Sequence, residues 1–202
     1  MLLWAMVGGL LLWNFTRLEL FAGINTHYNA TADVVMYYAT WMGQPEVIIP
    51  SLLALMSIQS LRTRWYFVTA TVCNIIPLLV QQVLKAMLQH PRPLRLYGDN
   101  RSWIHYLDTW PQLTGRNSFP SGHSEGAFSF FCFLSLLLPA KYRFFGLLFF
   151  MLALMVAYSR IYLAAHFFED IYTGSLIGAF TTTLLFAVMN VWKPTFNAGF
   201  KG

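Results

Sequence analysis

The chain has 202 residues, of which 57% are hydrophobic and 10% charged, with a formal net charge of +5. Average soluble domains carry roughly 25% charged residues, so this composition excludes an ordinary soluble domain and indicates an integral membrane protein. No basic tract suits nucleic acid, and the positive charge is accounted for by topology and a few ligand-binding arginines.

At roughly 20 residues per span and with short loops, the length allows one domain of about six spans and leaves no room for a second. Apolar stretches lie at about residues 1–15, 46–61, 65–84, 124–139, 144–163 and 171–192. Each is expected to form a transmembrane helix of an all-α polytopic bundle. The first reaches only about 22 Å at 1.5 Å per residue, short of a hydrocarbon core near 30 Å. It is therefore expected to continue through Phe21 or to begin upstream of Met1. With no basic region before it and no convincing cleavage site after it, a retained helix is expected rather than a secretory signal. Cys73 and Cys132 lie inside expected spans, which argues against a disulfide framework or a cysteine metal site. Gly174 and Gly178 form a small-xxx-small step on the last helix, suited to close helix packing.

Charge orients the bundle. The side reached after the second, fourth and sixth spans holds Arg62, Arg64, Lys141, Arg143, Lys193 and Lys201 with no acidic residue. By the positive-inside rule that side is cytoplasmic, with both termini there. The other side holds the remaining 13 − 6 = 7 basic residues and all 8 acidic ones, a formal charge of 7 − 8 = −1.

Three polar blocks fall on that outer side. In the first, Lys85 closes the third span and Arg92 follows seven residues on, with Pro91 and Pro93 breaking the helix between them and bringing ammonium and guanidinium toward one pocket. Arginine suits bidentate phosphate binding and lysine a mobile point charge, while interfacial snorkelling is the structural alternative for either alone. The second block, Pro120-Ser121-Gly122-His123, opens the fourth span. Gly122 allows close backbone approach, and the N–H groups of a helix start suit an anion. Ser121 serves either as helix cap or as phosphate donor. The neutral-pH proton chemistry of His123 suits a general acid.

The third block joins the last two spans. His166 and Asp170 are four apart and share a face on one helix, so Asp170 accepts one imidazole proton and leaves the other nitrogen as a nucleophile. Arg160, six residues before His166, sits about 240° away on a continuous helix, which calls for a break near Leu163 to Ala165 or a pocket wrapped around the helix end. Ser159 either bonds phosphate or its own backbone. Glu169 points elsewhere, and Glu125 either tunes His123 or favours the positive helix start. His27, His90 and His105 read as interfacial. Trp103, Trp110, Tyr97 and Tyr106 populate the long loop, as in aromatic belts.

The pattern K-x6-R-P, P-S-G-H, S-R-x5-H-x3-D resembles the three-part signature of the type 2 phosphatidic acid phosphatase superfamily. The resemblance covers roughly residues 80–190, and the first 45 residues add little to it. It implies one integral-membrane phosphatase domain over 1–202 with a PAP2/haloperoxidase-like core. Lys85, Arg92, Ser121, Gly122 and Arg160 would then hold phosphate. His166 would attack phosphorus with Asp170 as its partner, and His123 would protonate the leaving oxygen. No metal and no cofactor is expected, because three cations neutralise the transferring group.

The implied substrate is a lipid phosphomonoester or diphosphate taken from the bilayer. Undecaprenyl diphosphate, phosphatidylglycerol phosphate, phosphatidic acid and lipid A phosphates are all in range. The site faces the periplasm or exterior. A lipid phosphotransferase is the alternative from another reaction class. A transporter or scaffold would leave the clustered Lys, Arg, His and Asp unexplained.

Overall fold

A computed structural model describes residues 1–98, 102–111 and 113–198; Lys201, counted above with the basic side, lies outside them. All regular structure in these residues is helical: α1 (Leu2–Asn14), α2 (Arg17–Asn25), α3 (Ala30–Ala39), α4 (Pro45–Leu55), α5 (Arg64–Leu88), α6 (Pro93–Leu96), α7 (Gly122–Leu137), α8 (Phe145–Tyr162) and α9 (Phe168–Ala198), with short 3-10 turns between some of them. Three stretches, Arg64–Leu96, Phe145–Tyr162 and Phe168–Pro194, are long and apolar enough to cross a membrane. α1 and α4 are shorter apolar helices, and α7 has 16 residues.

The first apolar run does not continue through Phe21. Thr16 accepts from the Glu19 N–H while the Glu19 carboxylate accepts from the Thr16 N–H, and this capping box starts α2 as a new helix. The second run is also shorter than its apolar extent, since α4 ends at Leu55 and the chain passes through a 3-10 turn, Gln59–Leu61. α7 stops because Leu138 precedes Pro139 and is extended, at φ −65° and ψ 134°.

α7 is the centre of the bundle and packs against α9, α8 and α5. Its contact with α9 is backbone to backbone. A Cβ on Gly174 would stand 2.4 Å from the Ser121 carbonyl oxygen, and one on Gly178 would stand 2.4 Å from that of Glu125. The small-xxx-small step is thus a packing device. On α5, Trp65, Thr69, Cys73, Pro77 and Gln81 recur every four residues as the buried stripe facing α7 and α9. The opposite face, with Phe67, Ile75, Leu79 and Val83, is exposed and apolar, as a lipid-facing helix requires. Cys73 and Cys132 are both free.

Candidate active site

The polar blocks meet at one end of the bundle because α5 and α8 end there and α7 and α9 begin there. α5 runs one turn past Lys85 to Leu88 and ends on Gln89, whose φ of 44° turns the chain back. α8 ends at Tyr162, and Ala164 adopts φ 51°. The N–H groups of Ala165 and His166 then both donate to the Arg160 carbonyl, at 2.9 and 3.1 Å. This is the break that the spacing of Arg160 and His166 requires, and it falls within Leu163 to Ala165.

His166 does not share a helix with Asp170, because α9 begins at Phe168. The Asp170 carboxylate reaches back from the first turn of α9 to the Phe167 N–H (2.8 Å), closing half of a capping box. The same oxygen, Oδ2, accepts from Ser118 Oγ (2.5 Å) and lies 3.4 Å from His166 Nδ1. With Nδ1–H directed at Asp170, the lone pair of His166 is on Nε2. That nitrogen faces Arg92 Nη1 at 3.4 Å. His166 lies in the segment between the two spans, and its pKa is held well below 6.5, first by burial and then by Arg92, Arg160 and Lys85. The imidazole is therefore neutral at neutral pH.

Arg92 is itself fixed. Its Nε donates to Asn117 Oδ1 at 3.0 Å and its Nη1 to the Ala165 carbonyl at 2.8 Å. Arg160 is 1% exposed, donates from Nη1 to Thr40 Oγ1, and sits 5.2 Å from the Trp110 ring, while its Nε has no partner. Among the described residues, no carboxylate forms an ion pair with Lys85, Arg92 or Arg160. An unpaired buried ion costs several kcal/mol, so the buried guanidinium groups of Arg92 and Arg160, with Lys85 beside them, suit an anionic ligand.

Lys85, Arg92, Gly122, His123, Arg160 and His166 line one cavity of about 330 Å³, whose other wall includes Pro45, Ile48, Ile49, Ile75 and Leu78. Ser121 and Asp170 do not line the cavity. The Ser121 hydroxyl accepts from the Ser124 N–H (3.4 Å) and hydroxyl (3.0 Å), which is the capping geometry. Its N–H donates to the Asp170 carbonyl at 3.0 Å and so ties the second block to the third. Ser159 bonds its own helix at Val156. Glu169 pairs with Arg17, away from the cavity. Glu125 is buried and accepts from Ser129. His105 pairs with Asp33 at 2.8 Å and stacks on Tyr28. Among the described residues no group of three or more His, Cys, Asp or Glu could hold a metal ion.

Three of the loop aromatics pack on the protein itself. Tyr97 and Trp103 pack with Phe21, and Trp110 covers Arg160. Residues of the first 45 also matter more than their sequence suggests. Asn25 Nδ2 donates to the carbonyls of Ile161 (3.2 Å) and Tyr162 (2.9 Å), holding the end of α8. Thr40 reaches Arg160, and Gln44 Nε2 lies 3.3 Å from His123 Nε2. Asn117 and Ser118 lie just upstream of the P-S-G-H block, separated from it by Phe119, and that proximity is the one signal the sequence carries for them.

A helical membrane bundle that gathers three cations and two histidines around a cavity with an apolar wall defines the class of membrane phosphatases. Residues 63–194, well over half of the chain, match the PAP2 superfamily model, and the chain belongs to that superfamily. It is a PAP2-type hydrolase of the membrane lipid phosphatase branch and a multi-pass membrane protein. An undecaprenyl-diphosphatase from Sulfolobus acidocaldarius is 28% identical over 172 residues, covering 83% of this chain and 76% of the relative. The crystal structure of Aquifex aeolicus LpxE superposes with a TM-score of 0.66 at 26% identity, over 87% of this chain and 98% of that one. The first transmembrane PAP2-type phosphatidylglycerolphosphate phosphatase from Bacillus subtilis shares the fold, with a TM-score of 0.66 at 18% identity over 96% and 94% of the two chains.

Proposed function

We propose that the protein releases inorganic phosphate from a lipid phosphomonoester or diphosphate by way of a phosphohistidine on His166. The observation that carries this reading is the buried, carboxylate-free guanidinium of Arg160 beside Arg92, Lys85 and the Nε2 face of His166. A phosphoryl group placed there meets three cations and the N–H groups at the start of α7, which stabilise charge as the transition state forms. Arg92 would move its Nη1 contact from His166 to a phosphoryl oxygen, freeing the Nε2 lone pair.

His166 Nε2 then forms a bond to phosphorus as the bond to the leaving oxygen breaks, and His123 gives that oxygen its proton. Asp170, held by Ser118 and the Phe167 N–H, stabilises the positive charge that develops on the His166 ring. Water next attacks the phosphohistidine with His123 as base, releasing phosphate and restoring His166. Lys85, Arg92, Arg160 and Gly122 act on phosphate directly in this scheme, whereas Ser121 contributes through the helix cap.

The apolar wall of Ile48, Ile49, Ile75 and Leu78 suits a lipid chain entering from the bilayer. Undecaprenyl diphosphate is the first substrate to try, given the named activity of the archaeal relative. The same reading takes the chain as one domain of about six spans, with α1, α4 and α7 completing the set, termini on the cytoplasmic side and the cavity opening outward.

The test is purified protein assayed against lipid phosphates and diphosphates, with phosphate and lipid products followed together and the phosphoenzyme trapped during turnover. Phosphate release with a trapped phosphohistidine is expected. Label that passes only to a second lipid would identify a phosphotransferase, and turnover without any trapped phosphohistidine would remove the covalent route.

A further inference from the structure

Residues 40–44 precede the family-matched region, 63–194, yet they are wedged between the helices that carry His123 and Arg160. The 3-10 turn Thr40–Gly43 packs on both α7 and α8. A Cβ on Gly43 would stand 2.5 Å from the His123 carbonyl oxygen and 2.8 Å from Val156 Cγ1, so only glycine lets the turn sit this deep. Pro45 is the first residue of α4, and a residue before proline is confined to the extended region. Gln44 has φ −97° and ψ 145° accordingly, which fixes the direction of its side chain.

The polar side chains at the two ends of this segment reach two different groups of the cavity. Thr40 is fully buried, and its Oγ1 accepts from Arg160 Nη1. Gln44 Nε2 lies 3.3 Å from His123 Nε2. We propose that the Thr40–Gln44 segment is a positioning element for the reaction, with Gln44 orienting the His123 imidazole toward the leaving oxygen and Thr40 orienting Arg160 toward the phosphoryl group. The inference rests on the reading of His123 as general acid and adds what holds it in place.

An amide suits this task because it carries a donor and an acceptor at one end. With the amide turned so that its carbonyl accepts from His123 Nε2–H, Gln44 keeps that nitrogen protonated and leaves Nδ1–H as the proton given to the leaving oxygen. The bond to Nε2–H persists in both the imidazolium and the neutral ring, and Gln44 itself does not titrate. The charged and titratable groups around His123 are Lys85 from α5, Arg92 ahead of α6, Arg160 from α8, His166 from the segment before α9 and Glu125 on α7 itself. A neutral amide adds no charge to that set.

The experiment compares an alkyl phosphate, whose leaving oxygen needs a proton, with p-nitrophenyl phosphate, whose leaving oxygen does not. Gln44→Met keeps the side-chain length and removes the hydrogen bond. It is expected to lower kcat on the alkyl phosphate by about 10- to 100-fold, to lower kcat on the aryl phosphate by less than about threefold, and to leave KM within about twofold. His123→Asn is the control and should show the same selectivity, more strongly. Equal loss on both substrates in His123→Asn would mean that the general-acid reading has failed. Selectivity in His123→Asn without selectivity in Gln44→Met would overturn the role of Gln44 alone. Should Gln44→Met not fold, Gln44→Glu decides: a carboxylate beside His123 should displace the basic limb of kcat/KM upward by about one pH unit, and an unmoved limb overturns the proposal. Thr40→Val should raise KM several-fold for both substrates, with Thr40→Ser restoring it; Thr40→Val at wild-type KM would overturn the role of Thr40.

Discussion

The two ends of α8 carry connections built on opposite terms. Residues 161–168, which lead from α8 into α9 at the cavity, are all buried, whereas residues 139–145, which lead from α7 into α8 at the far end, are all exposed. The exposed turn satisfies its backbone locally, with the Tyr142 N–H on the Pro139 carbonyl and the Gly146 N–H on that of Arg143. The buried one draws on side chains from far along the sequence: Asn25 for the carbonyls of Ile161 and Tyr162, Arg92 for that of Ala165. Water completes backbone groups at one end, and the protein has to supply the partners at the other. A rigid, dry connection is what places His166 against its cations.

Substitutions should separate the two ends in a graded way. His166→Ala is expected to lower kcat by on the order of 10⁴-fold or more, with no phosphoenzyme left to trap; substantial residual turnover would remove it as nucleophile. Arg160→Lys keeps the charge but loses the planar fork, and kcat/KM should fall by about 10²- to 10³-fold on lipid phosphates. Asn25→Ala leaves buried carbonyls without their donor and should cost about 1–3 kcal/mol in unfolding measured in detergent, together with a drop in activity as the end of α8 loosens.

The pH profile probes the same connection more gently. His166 must be neutral to attack, and because its pKa is held below 6.5 it stays neutral until the pH falls through that lowered value. The acid limb of kcat/KM should accordingly lie below pH 6.5, and a limb at or above it would contradict the dry environment of residues 163–167. At the exposed end, Lys141→Ala combined with Arg143→Ala should change neither activity nor unfolding temperature measurably, which a thermal melt and a phosphate-release assay would establish.

Much of this site is legible from residue order. The spacing of Arg160 and His166 demands a break in the helix, and Ala164 provides it. Other features were hidden for physical reasons. Thr40, Gln44 and Ser118 are single polar residues whose partners lie tens of residues or more away, and no periodicity marks such contacts. His166 and Asp170 meet as expected, but across a helix start rather than along a helix face, since a reach of four residues serves either geometry. The place of Trp110 over Arg160 is not legible in the sequence, because composition cannot distinguish a ring turned toward lipid from one laid over a guanidinium. The first apolar stretch, 1–15, coincides with α1, and only its continuation through Phe21 fails, because the Thr16 capping box starts a new helix that composition does not mark.

The closeness of α7 and α9 has a consequence for how sequences of this kind can drift. At Gly174 and Gly178 a methyl group would land inside the van der Waals shell of a carbonyl oxygen on α7, and those carbonyls belong to Ser121 and Glu125, on either side of His123. Any relative that retains both histidines but carries a larger residue at either glycine must have moved the two helices apart and rebuilt the approach of His123 to His166. A substitution table restricted to these two positions would therefore sort relatives by active-site spacing before any of their structures were solved.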